Sequence, residues 1–82
     1  MINFTYQYKG ESIHSTAFQY MHEGWLRYRI SLSDGIEYII MPTVFSGKNG
    51  ETIWVQPVKD GDTHLPHELV QAIGEGLEET GN

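Results

Sequence analysis

Within the first fifty residues, a polar side chain followed by glycine recurs as Lys9-Gly10, Glu23-Gly24, Asp34-Gly35 and Asn49-Gly50. Such pairs supply the left-handed backbone that tight hairpin turns need, and the stretches between them alternate apolar with polar residues. A chain punctuated this closely leaves no room for crossover helices, so each strand must return beside its predecessor. After the last turn the period changes. Leu65, Leu69, Ile73 and Leu77 recur every fourth residue, with Val70 beside them, which is the spacing of an amphipathic helix.

The pattern predicts an α+β fold: a five-stranded antiparallel β-meander, as an open sheet or small half-barrel, with one C-terminal α-helix packed on one face. Residues 1–82 are read as a single domain. The strands are expected at about 2–8, 12–21, 25–32, 36–45 and 51–58, the helix at about 65–77, and 78–82 as a flexible tail.

Register follows from asking which turn keeps the apolar residues together. A two-residue turn at Lys9-Gly10 sets Tyr6 opposite Ile13 and Ile2 opposite Ala17. The same turn at Glu23-Gly24 sets Met21 opposite Leu26 and Ala17 opposite Ile30. At Ser33-Asp34-Gly35 a three-residue loop pairs Leu32 with Ile36, Ile30 with Tyr38 and Tyr28 with Ile40, whereas a two-residue turn would mix the faces. Asn49-Gly50 as a two-residue turn puts Phe45 across from Trp54 and Val44 across from Val55. Pro42 and Pro57 then face each other, so regular pairing should loosen or bulge there.

One face thereby collects Ile2, Phe4, Tyr6, Ile13, Ala17, Met21, Leu26, Tyr28, Ile30, Leu32, Ile36, Tyr38, Ile40, Val44, Ile53 and Val55. The other begins polar and turns aromatic, with Phe18, Tyr20, Trp25, Arg27, Arg29, Ile39, Met41, Phe45 and Trp54. The helix stripe matches the first face. Pro66 suits a helix start, Thr63 or Asp62 is placed to cap it, and Glu68 favours the positive end of the dipole. Gly74 and Gly76 either permit close packing on the sheet or mark fraying after Ile73.

Composition narrows the functional classes. The chain has 82 residues, no cysteine and a net charge of −6. Thiolate chemistry and disulfides are excluded. Residues 1–58 carry a net −1 and residues 59–82 a net −5, so the acidity belongs to the helix and its approach. That balance repels phosphate backbones and disfavours nucleic acid. The first residues lack the basic and apolar segments of a signal peptide. The longest apolar run, around Tyr38–Pro42, is far too short to span a membrane. A cytoplasmic protein with no membrane contact is expected.

The candidate binding residues are Tyr20, Trp25, Arg27, Arg29, Phe45 and Trp54. Rigid rings bury area at little entropic cost and arginine both stacks and bonds, so these types are common in interfaces. The competing reading makes Trp54 and Phe45 a second mini-core, with Arg27 and Arg29 paired to Glu37. From the first reading comes a non-catalytic protein-interaction or self-associating module, whose partner is another protein or a second copy. Alternatives are a small-ligand-binding β-barrel-like domain and an acidic inhibitor of a nucleic-acid-binding enzyme.

Other motifs fail on spacing. His14 and His22 lie eight residues apart on one strand, too far to share an ion. His64 and His67 lack a third ligand. A calcium loop begun at Asp60 would place Leu65 where glycine is required and Gln71 where glutamate is required. Ser46–Gly50 leads into a strand rather than a helix, unlike a phosphate loop. Ser12 and Ser15 beside His14 show no nucleophile elbow. No enzymatic activity, cofactor or metal is expected.

Overall fold

The computed structural model describes residues 1–33, 35–46, 50, 52–57 and 64–80, with backbone only for 44–46. Five strands, β1 (Ile2–Tyr8), β2 (Glu11–His22), β3 (Trp25–Ser31), β4 (Glu37–Ser46) and β5 (Thr52–Val55), precede one helix, α1 (His67–Thr80). The strands pair in chain order as an antiparallel meander. Both edge strands, β1 and β5, pack against α1. Opposite edges of a flat sheet cannot reach one helix, so the sheet curls into a half-barrel whose open side α1 closes.

The first three turns set the register that the sequence predicts. At the first two, both central residues have positive φ, Lys9 (50°) with Gly10 (78°) and Glu23 (52°) with Gly24 (85°). Their twist matches that of the flanking strands. Tyr6 faces Ile13, Ile2 faces Ala17 and Met21 faces Leu26. The β3–β4 connection pairs Ile30 with Tyr38 and Tyr28 with Ile40. It is closed by Gly35 N–H donating to the Leu32 carbonyl at 3.0 Å.

The fourth pairing differs. Trp54 lies opposite Pro42 and Val55 opposite Met41, not Phe45 and Val44 as expected, with an irregularity between Pro42 and Ser46. Moving Trp54 from residue 45 to residue 42 is an odd shift, and an odd shift reverses which face every side chain of the strand occupies. Trp54 therefore joins the first face, and Ile53 and Val55 leave it. Asn49 of the expected turn and its flanking residues Lys48 and Glu51 lie outside the described residues, as do Asp62 and Thr63, the expected caps.

The core gathers Phe4, Tyr6, Ala17, Ile30, Ile40 and Trp54 from the sheet against Val70, Ile73 and Leu77 of α1. Burying each large side chain contributes about 1.5–3 kcal/mol. The one buried polar side chain among the described residues, Ser15, donates its hydroxyl to the Ser31 carbonyl. Met21 and Ile36 have the parity of this face but lie beyond the reach of α1 and are exposed.

The helix starts on the Pro66 carbonyl, which accepts from Leu69 and Val70 N–H at 3.0 and 3.1 Å. It continues through Gly74 and Gly76, both buried, to Thr80. Close packing, not fraying, is thus their role. A Cβ at Gly74 would overlap the Trp54 ring, and one at Gly76 would lie 2.7 Å from the Thr5 carbonyl oxygen and from Tyr6 Cβ.

Candidate functional site

With α1 on the concave side, the other face of β2 and β3 is left uncovered. Pairing there sets Phe18 beside Arg29, Tyr20 beside Arg27 and His22 beside Trp25, all with the same parity. Two successive rows of the ladder therefore each set a ring beside a guanidinium, and the third sets His22 beside Trp25. Trp25 is 50% exposed and Phe18 46% exposed. Arg29 is also exposed, while Tyr20 and Arg27 are half-buried.

The Arg29 guanidinium lies 5.6 Å from the Tyr20 ring centroid, within the range where a ring face attracts a cation. Among the described residues neither Arg27 nor Arg29 makes an ion pair, so the expected alternative of pairing with Glu37 is not what holds them. Arg27 Nε is buried without a hydrogen-bond partner. Two cations with no ion-pair partner among the described residues, set beside exposed rings, form a surface that attracts anionic and aromatic groups.

Four of the six sequence-predicted residues, Tyr20, Trp25, Arg27 and Arg29, are thus brought together. Phe45 falls outside the described side chains. Trp54 is a correction: it is 3% exposed and sits in the core with Ile30. Its ring lies 5.6 Å from that of Tyr28, and its indole N–H donates to Glu78 Oε1 at 2.9 Å. The register shift at Pro42 and the slot left by Gly74 put it there. Phe18 is the residue that sequence reasoning left out of the cluster. Its signal was available, because it shares a strand and parity with Tyr20.

The Trp54 side of the sheet has its own electrostatics. Burial pushes the Tyr28 phenol above its ordinary value, and the Glu78 carboxylate adds to the rise. Burial likewise pushes Tyr6 up. Both shifts favour the neutral phenols of a packed interior. Among the described residues no group of three His, Asp or Glu side chains is placed to hold a metal ion, and no helix is long and apolar enough to cross a membrane.

Compared with known proteins, the chain matches no family, no curated protein and no solved structure.

Proposed function

We propose that the protein is a non-catalytic interaction module that docks another protein on the β2–β3 face through Phe18, Tyr20, Trp25, Arg27 and Arg29. The observation that supports this reading most is the exposure of Phe18 and Trp25 on one face with two arginines that have no ion-pair partner among the described residues. Large exposed rings are costly to leave in water, and a partner that covers them gains apolar burial together with charge-assisted bonds. The fitting partner carries carboxylates beside apolar side chains. The ring of Trp54 packs on Tyr28 and against Gly74 inside the curl, and this favours a surface contact over a ligand chamber lined by Trp54.

The test compares proteins captured from the source cells by the wild type, by a Trp25→Ala/Arg29→Ala variant and by Glu75→Gln on the exposed side of α1. A partner held by the wild type and Glu75→Gln but lost from the double variant is the expected result. A captured set indifferent to the Trp25 and Arg29 changes would end this reading.

A further inference from the structure

Tyr20 links the two arginines of the open face. Pairing sets it directly across from Arg27, yet the guanidinium that approaches its ring is that of Arg29, 5.6 Å from the centroid. The contact runs diagonally between rows, so one ring borders both cations. Arg27 and Arg29 stand two residues apart on the same side of β3, roughly 6.8 Å at the backbone. Both side chains are long enough to bring their tips onto one bound group.

The tips are open to such a group. Only Nε of Arg27 is buried without a partner, so the terminal Nη pair is the end that Arg27 turns outward. Arg29 is exposed and makes no hydrogen bond among the described residues, which leaves its N–H donors available. Glu37, an acid of matching parity, lies opposite Ser31, a row beyond Arg29, and pairs with neither arginine.

We infer that the seat between Arg27 and Arg29 takes one phosphoryl group, carried on a tyrosine side chain of the partner protein. Such a seat rests on the docking role of this face and gives it a chemical specificity. Two neighbouring guanidiniums with no acid between them call for two negative charges at one point. A carboxylate brings one. A phosphate monoester brings about −1.5 to −2 at pH 7, with three acceptor oxygens to serve both forks.

The surrounding residues select the carrier. β2, β3 and β4 hold no Lys or Arg besides these two. A second phosphate therefore meets no cation on this face, and the net −5 of residues 59–82 repels it. Nucleic acids and anionic bilayers present phosphates in series and are poorly matched, whereas a single modified side chain is well matched. Exposed rings bracket the seat, Trp25 next to Arg27 along β3 and Phe18 across from Arg29. Phosphotyrosine carries its phosphate on the edge of a ring, which lies against Trp25 while the phosphate meets the guanidiniums. Phosphoserine has no ring to place there.

The test titrates N-acetyl-phosphotyrosine amide into the full chain. The phosphoserine, glutamate and unmodified tyrosine counterparts, inorganic phosphate and a single-stranded oligonucleotide form parallel arms. The Arg27 Nε–H proton resonance and Trp25 emission are the two readouts. Phosphotyrosine should move both at millimolar concentration and bind several-fold tighter than phosphoserine or inorganic phosphate, with glutamate and tyrosine without effect. Arg27→Lys keeps the charge but loses the planar fork, and should weaken phosphotyrosine by roughly tenfold in Trp25 emission. Trp25→Leu, read at the Arg27 resonance, should bring phosphotyrosine down to the phosphoserine level. Glu75→Gln should leave it unchanged, and circular dichroism matching the wild type shows that each variant is folded. Glutamate, inorganic phosphate or the oligonucleotide binding as tightly as phosphotyrosine would overturn the phosphotyrosine seat. So would an absent response at tens of millimolar. Each of these leaves the docking reading standing, since that reading falls only when captured proteins are indifferent to Trp25 and Arg29.

Discussion

At Gly74 the difference between a hydrogen and a methyl group decides where Trp54 goes. Alanine is the better helix former by about 1 kcal/mol, yet its Cβ would collide with the indole, and overpacking a core costs about 1–3 kcal/mol or more. The collision involves ring atoms that the core holds on every side, so it outweighs propensity. Gly74→Ala should lower stability by about 2 kcal/mol, read as a lower urea midpoint. Glu78 supports a second expectation. Tyr6 and Tyr28 are held above the ordinary phenol value of 10.0 in the fold. A raised phenol contributes stability that is complete below that value and is lost as pH rises through the folded one. Stability should therefore fall above about pH 10. Glu78→Gln should bring the Tyr28 titration down, seen in phenolate absorbance, because the adjacent negative charge is gone while an oxygen remains for the Trp54 indole.

Among the elements, β5 is the shortest strand and is tied to α1 through the Gln71 side chain. Gln71→Met keeps the side-chain length but leaves Trp54 N–H and the Thr52 carbonyl without their partners, and a loss of about 1–3 kcal/mol in unfolding free energy is expected. This part of the fold was also the least legible in sequence. The first three turns could be read because their apolar residues agree with one choice of loop length, as Ile30 with Tyr38 shows. Asn49-Gly50 is as strong a turn signal, and Pro42 announced an irregularity, but nothing local states how many residues a bulge absorbs. The register of Trp54 is fixed by tertiary partners, the Gly74 slot and the Gln71 amide, which lie about twenty residues onward in the chain. Parity placed Tyr20, Trp25, Arg27 and Arg29 on one face for the opposite reason: their neighbours are set by a single two-residue turn.

Over the whole molecule, the two tryptophans divide between interior and surface. Trp25 stands half exposed at the end of the hairpin, while Trp54 is enclosed between sheet and helix. Iodide should quench Trp25 emission and leave the blue-shifted Trp54 component intact. Trp25→Phe should therefore abolish most of the quenching, and equal quenching of both residues would contradict the curled sheet. The same division sorts charge, with the arginines on the open face and Glu75, Glu78 and Glu79 on the helix. A glutamine side chain that imitates a neighbouring strand also ties the last two elements to a common fate. Lifting α1 strips β5 of its outer partner, and peeling β5 uncaps the glutamine. β5 and α1 should then open to solvent together, as one cooperative unit.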